Sequence, residues 1–427
     1  MNKRTMRLAT FAITAALVTA GAPAGATQWH DFGPRAMGMG GAGVAIAQGP
    51  EASYWNPAGL GQLYNTSGLA FPIGARGEFT GTVLQGANDL NQLAQDCDAS
   101  RPNCTAAAVG QALSRFGNAG NGAMFDWGGG AELKIKRAVV FVNSLGSVGA
   151  TPVMDPTNTC PGAGCLSGNQ SSLILRGGSF TELGLGYAKE IKETGLILGG
   201  NLKGIVGNIG FNRIVVAKSD AEGGSFSKFN DNAKSSFRPG IDLGLLWDAR
   251  ETYSSLPWRP RLGLVARNIN NPKFDMPDAA KLAGAGDKYS LEGQVRAGAA
   301  ISPFKFWHLA ADLDLTKNLT AIEGYHSRYL SLGTEINIFN RTWINIPLRA
   351  GIKKNLSDTG SGAAYSLGLG LNFLHIIVDV GGQVSAKRTT LQGEGKTEEV
   401  PNNFAGAARI AFLFGGKDEG GREKAEK

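Results

Sequence analysis

Tyr329-Leu330-Ser331-Leu332-Gly333-Thr334-Glu335-Ile336-Asn337-Ile338 is the stretch on which the fold turns. Leu330, Leu332, Ile336 and Ile338 share one parity, and Ser331, Gly333, Glu335 and Asn337 share the other. A period of two belongs to a strand whose faces meet different surroundings. The same alternation sets Tyr365, Leu367, Leu369, Leu371 and Phe373 against Ser366, Gly368, Gly370 and Asn372. It recurs over Ile241–Trp247 and Leu309–Leu315. Glycine makes up 62 of the 427 residues, about twice the usual share, which excludes a helical bundle. With 42% hydrophobic and 18% charged residues the chain is too apolar for disorder, and it lacks the repeated long apolar runs of a polytopic helical membrane protein. An all-β protein remains.

Alternation alone suits a soluble sandwich as well as a membrane barrel; the connections separate them. Short turns at Lys136-Arg137, 189–195, 302–305, Asn340-Arg341 and Leu374-His375 take turns with longer segments at 151–170, 218–235, 271–288 and 387–401. Short turns on one side and long loops on the other are the signature of an outer-membrane barrel. Trp247, Trp258, Phe304, Phe306, Trp307, Phe339, Trp343, Phe373, Phe412 and Phe414 gather on the short-turn side, as an interfacial girdle does. The strands expected are 69–85, 126–135, 138–150, 171–188, 196–217, 236–247, 260–270, 289–301, 306–316, 326–339, 342–355, 363–373, 376–386 and 403–414. Their number, fourteen, is even, as a closed antiparallel barrel with both ends on one side requires.

At the amino end Lys3, Arg4 and Arg7 precede an apolar run from Leu8 to Ala20, and Ala24-Gly25-Ala26 follows. This pattern is a signal peptide, 1–26, cleaved after Ala26 for export to the bacterial outer membrane. Its removal takes three cations from a net charge of +7, leaving +4, with no Lys/Arg cluster to favour nucleic acid. Cys97/Cys104 and Cys160/Cys165 are two close pairs in loop-like sequence and read as two local disulfides; a zinc site is the weaker alternative. Residues 88–120 read as two short helices of an extracellular loop with Cys97 and Cys104 between them, and 415–427 as a charged periplasmic tail. Residues 27–68 lie outside the barrel, 69–414, and either plug its lumen or sit in the periplasm.

Gly38-Met39-Gly40-Gly41-Ala42-Gly43 contains a literal G-x-G-x-x-G, but no strand precedes it and no βαβ unit surrounds it, so a dinucleotide loop is rejected. Arg35-Ala36-Met37-Gly38-Met39-Gly40-Gly41-Ala42-Gly43-Val44-Ala45, followed by Glu51-Ala52-Ser53-Tyr54-Trp55-Asn56-Pro57-Ala58-Gly59-Leu60, resembles the amino-terminal segment of the FadL superfamily. That superfamily comprises long-chain fatty-acid transporters, PorV-type secretion proteins and TraF-like outer-membrane proteins. The stretches Tyr329–Glu335, Leu348–Ile352 and Leu367–Gly370 resemble the TraF-like branch. The resemblance implies an amino-terminal hatch at 27–68 inside a fourteen-stranded barrel, with Arg35, Gly38, Gly40, Gly43, Asn56, Pro57 and Ala58 as its marker residues and the turn at Asn56 lodged in the lumen.

Strand parity assigns Glu182, Lys203, Asp242, Arg296, Asp312, Asp314, Glu335, Arg349, Asp379 and Arg409 to the lumen, where mixed signs pair with a plug or with one another. His30, His308, His326 and His375 stand in no metal-ligand spacing, and no G-x-S-x-G elbow occurs, so neither enzyme activity, nor a metal, nor a cofactor is expected. His308 and His375 read as girdle residues. The expected function is passage of a fatty-acid-like hydrophobic molecule by a monomeric barrel seated in outer-membrane lipid. The alternative is an accessory to protein export or conjugative transfer that acts through a secretion or conjugation protein as its partner.

Overall fold

A computed structural model describes residues 28–62, 67–98, 102, 105–155, 170–191, 194–215, 226–341, 343–358, 360–393 and 396–414. Fourteen strands close into one antiparallel barrel. They are β1 (Ser67–Thr80), β2 (Gly122–Ile135), β3 (Ala138–Val153), β4 (Ser172–Ile191), β5 (Leu196–Val215), β6 (Lys234–Asp248) and β7 (Arg261–Arg267). The second half comprises β8 (Gln294–Phe304), β9 (Trp307–Asp314), β10 (Tyr329–Ile338), β11 (Ile344–Asn355), β12 (Ala364–Phe373), β13 (Ile376–Ser385) and β14 (Asn403–Phe414). The ring closes where β1 runs antiparallel to β14, from Ser67 opposite Phe414 to Glu78 opposite Asn403.

Every strand expected from alternation is present. Strand β1 ends at Thr80 rather than 85, because Gly81 takes a positive φ of 60° and turns the chain into a helix, α3 (Val83–Asp98). With α4 (Ala106–Phe116) it forms the helical loop, beginning earlier than 88. Cys97 therefore belongs to the last turn of α3 and does not lie between the helices. The side chain of Cys97, together with Cys104, Cys160, Cys165, residues 1–26 and the tail, lies outside the described residues.

The two faces divide as alternation demands. Leu332 and Leu369 are 46% and 48% exposed, whereas Ser331 and Glu335 are 1% and 4% exposed. Phe304 stacks between Phe306 and Trp307 with ring centroids 5.5 and 6.1 Å away, and Trp343 meets Phe373 edge-on at 6.2 Å, all at the short-turn end. His308 does not join this girdle: its Nδ1 lies 2.8 Å from Ser302 Oγ, and it shares parity with the buried Asp312 and Asp314. Among the described residues no helix is long and apolar enough to cross a membrane. The wall is uneven, with β4 and β5 each 20 residues long and β7 only 7.

This facing gives a direct test. Leu332→Arg or Leu369→Arg should impair assembly by about 2–4 kcal/mol, the cost of a cation against lipid near the midplane. Gly370→Arg, pointing at Asp379 and Pro347 inside the barrel, should disturb the interior instead. The fraction of heat-modifiable barrel recovered from outer membranes measures the difference.

Candidate functional site: the plugged lumen

The segment before β1 fills the lower lumen. It carries a short helix α1 (Pro34–Gly38), a second, α2 (Ala52–Trp55), and a 3-10 turn, Pro57–Gly61. Pro34 and Pro57 each open a turn, where proline's fixed φ helps and its missing N–H costs nothing. Asn56 organises the second half. Its Oδ1 accepts from the Ala58 N–H at 3.1 Å, and its Nδ2 donates to the carbonyls of Val44 and, on β6, Leu245 at 3.1 and 3.0 Å. The hatch turn is thus tied to both plug and wall. Trp29, Phe32, Tyr54 and Trp55 pack into one buried aromatic cluster.

Glycines of the wall receive the plug backbone. A Cβ at Gly333 or Gly351 would overlap the main chain of Met39 and Gly40, and one at Gly199 would overlap Pro57 and Ala58. Gly263, Gly298, Gly368 and Gly381 face Val44, Ala45, Gly38 and Pro34 in the same way, at 3.0, 3.0, 3.1 and 2.8 Å from where a Cβ would stand. Only residues without side chains let two backbones approach so closely. Gly40 itself, at φ 68°, donates its N–H to Ser366 Oγ at 2.9 Å.

An ionic chain crosses from plug to wall and back. The Arg35 guanidinium forks onto Glu335 with two bonds of 2.9 Å; Arg349 donates to Glu335 at 2.7 Å and to Asp379 at 2.6 Å. Arg409 pairs with Asp379 and returns to the plug at Glu51, 2.7 Å away. Elsewhere Asp312 Oδ2 accepts the N–H groups of Gly43 and Val44 at 2.7 and 2.9 Å. Arg296 pairs with Asp314 at 2.5 Å and lies 4.3 Å from the Trp29 ring. Lys203 sits between Glu182 and Asp242 at 2.9 and 3.1 Å. All ten residues assigned to the lumen by parity point inward, and they form three groups rather than one.

Sequence reasoning missed a fourth group. Arg76 on β1 pairs with Asp126 at 2.8 Å, and Lys353 on β11 with Asp31 at 2.6 Å; Gln28 donates to Asp126 at 2.6 Å. Arg267, 4.1 Å from the Tyr54 ring, and the fully buried Glu132, which accepts from Ser53 Oγ at 3.0 Å, were also missed. Parity could have found Lys353, two residues beyond Gly351 and four beyond Arg349.

Above the plug the lumen turns apolar. Met124, Phe180, Ile205, Ile209 and Phe211 on the wall surround Phe274, Met276, Tyr289 and Leu291 from the loop 268–293 and Ile322 and Tyr325 from the loop 315–328. Phe274 and Tyr289 meet across a small hairpin, and Phe180 packs 5.2 and 5.7 Å from their rings. Tyr325 donates to Glu78 at 2.8 Å; burial and then this neighbouring carboxylate raise its pKa well above the ordinary range, so the donor stays protonated.

The hatch turn carries a second expected result. Asn56-Pro57→Gly-Gly removes three hydrogen bonds and the dihedral restraint, leaving buried carbonyls unpaired at about 1–3 kcal/mol each. The barrel should stay heat-modifiable while limited proteolysis cuts residues 28–62 faster and small solutes leak into liposomes.

A closed fourteen-strand barrel with its amino-terminal segment keyed into the lumen is a plugged outer-membrane-type barrel. The chain belongs to the family described as "F plasmid transfer operon, TraF, protein", which matches residues 53–314. Among solved structures, a TodX deltaS2S3 mutant monoaromatic hydrocarbon channel is similar in fold over 90% of this chain and 99% of its own, with 10% identity and a TM-score of 0.50. The toluene transporters TodX of P. putida (12% identity, 91% and 100% coverage, TM-score 0.48) and TbuX of Ralstonia pickettii (13%, 90% and 98%, 0.48) are also similar. No curated protein matches the sequence.

Proposed function

We propose that this protein resides in the bacterial outer membrane, exported by a signal peptide cleaved after Ala26, and passes hydrophobic small molecules. The observation that carries the reading is the apolar chamber above the plug, walled by Met124, Phe180, Ile205, Ile209 and Phe211 and filled by Phe274 and Tyr289 of a loop. Burying a hydrophobic molecule there in place of those loop rings regains the same apolar contact, so exchange is nearly balanced and binding need not unfold the wall. The TodX deltaS2S3 mutant, described as a monoaromatic hydrocarbon channel, is similar in fold and supports a hydrophobic cargo; a fatty acid and a monoaromatic hydrocarbon both suit the chamber chemically.

The test is binding by purified protein in detergent, followed by fluorescence titration with a long-chain fatty acid and by calorimetry with toluene. Wild type should bind at least one, and Phe180→Arg, which places a cation in the chamber, should weaken that binding about tenfold or more, the ratio that 1.4 kcal/mol gives. Wild type that binds neither, with mass spectrometry finding no co-purified lipid, would overturn the reading. The family match favours a second reading, an accessory to conjugative transfer or protein export that acts through protein partners. In that case deletion should lower transfer frequency while hydrocarbon and fatty-acid uptake stay unchanged.

A further inference from the structure

On the outward face of the wall one sector turns from apolar to basic as it nears the long loops. Along β10 the outward parity runs from Leu332 through Leu330 to Arg328, one residue before the strand begins. Along β11 it runs from Leu348 through Ile352 to Lys354. Lys354 stands opposite Leu330, and the Leu356 N–H bonds the Arg328 carbonyl at 2.7 Å, so Arg328 and Lys354 are diagonal neighbours about 7–8 Å apart. Lys317 flanks Arg328 on the other side. The pairs Leu319–His326 and Asn318–Ser327 place it on the next rung, beside Arg328, and the burial of Asn318 and Ser327 gives Lys317 and Arg328 the opposite, outward parity.

These three cations are not spent on acids. Arg328 Nε donates to the Asp314 carbonyl at 3.1 Å and Lys354 Nζ to the Ser361 carbonyl, both main-chain partners that leave the remaining N–H groups unused. None of the three has an ion-pair partner among the described residues. The carboxylates of the same loops are turned elsewhere: Asp358 Oδ1 accepts the Gly360 N–H at 2.9 Å, and Glu323 sits across the mouth, its N–H 3.4 Å from Thr151 Oγ1. The lipid side supplies an independent observation. A cation on a lipid-facing parity is costly at the midplane and nearly free at the level of the headgroups, so Arg328 and Lys354 mark that level. Immediately below them Ile352 pairs across to Tyr365, an exposed ring with a polar tip, as befits the interface, and exposed Leu332 and Leu367 continue the apolar face. The surface thus meets headgroup and acyl chains at once. Its three cations extend along two rungs, so one phosphate reaches two of them and a second phosphate is needed to engage the third.

We propose that this face, at the outer ends of β9, β10 and β11, binds a bisphosphorylated glycolipid of the outer leaflet, with its phosphates on Lys317, Arg328 and Lys354 and its acyl chains along Leu332, Ile352 and Leu367. The inference rests on the outer-membrane residence proposed above. The full chain, purified in detergent, is mixed with diphosphoryl lipid A, monophosphoryl lipid A or phosphatidylglycerol, and native mass spectrometry measures the bound fraction. Diphosphoryl lipid A should bind about tenfold tighter than either of the others, and Arg328→Glu should weaken it about tenfold or more. Lys281→Glu, a reversal at a cation of the loop 268–293 that pairs with Asp278, should leave it unchanged. Heat-modifiability on gels checks that each variant has assembled; Lys317→Glu, outside the strands, gives the same test should Arg328→Glu fail to assemble. Equal binding of phosphatidylglycerol, or binding unchanged in both Arg328→Glu and Lys317→Glu, overturns the proposal while a chain that sediments with the outer membrane keeps the residence reading. A chain absent from that fraction overturns the residence reading and this proposal with it.

Discussion

Gly351→Ala should unseat the plug. The added Cβ would overlap the Gly40 nitrogen and the Met39 carbonyl carbon, and neither is the movable end of a side chain. Overpacking against two fixed backbones costs about 3 kcal/mol. Gly199→Ala, which presses on Pro57 and Ala58 far around the ring, should add a similar amount, because distant sites with no shared partner are nearly additive. Gly406→Ala, with no atom within 4 Å of its added Cβ, should change stability by less than about 0.5 kcal/mol. Denaturation midpoints rank the three, and proteolysis of residues 28–62 shows whether the loss lies in the plug or in the wall.

Arg349→Met should be the most damaging single change to the ionic chain. Arg349 bridges Glu335 and Asp379 with bonds of 2.7 and 2.6 Å, and all three are buried. Removing one member of a buried charge network leaves carboxylates without their full complement, at about 3–5 kcal/mol. Arg349→Lys should fall between, since a single ammonium does not reproduce a planar fork reaching two carboxylates. The Arg35–Glu335 and Arg409–Glu51 links at either end tie the wall to the plug, so the loss should appear first as faster proteolysis of the plug and only later as unfolding of the barrel.

Much of the barrel could be read from the chain because a strand's two faces are recorded in successive residues. Leu332 beside Ser331 and Leu369 beside Gly370 state which face meets lipid without reference to any distant residue. The same local record placed Asp312, Glu335 and Arg349 inside. Partners are another matter: Arg35 and Glu335 are 300 residues apart, and their meeting depends on the register of the closed ring. Arg76 escaped notice because Gly74-Ala75-Arg76-Gly77 blurs the alternation; Arg267, inside the expected strand 260–270, shares the parity of the buried Gly263 and Val265 and could have been found from it, as Lys353 could. The loop 268–293 has no period to read. That Phe274 and Tyr289 fold down into the lumen follows from the apolar wall waiting at Phe180, Ile209 and Phe211, a tertiary fact with no local trace.

The seating of the plug on glycines bears on the order in which the molecule is made. The segment touches β5, β7 and β8 on one side and β10 to β13 on the other, through positions where no side chain can swing aside. A finished cylinder would have to widen at several seams at once to admit it. The geometry instead favours a growing sheet that curls around a segment already in place, with the zippering of β1 to β14 as the last event. In that order the amino-terminal residues act as a mandrel: they set the diameter of the cylinder and the register at which its first and last strands join.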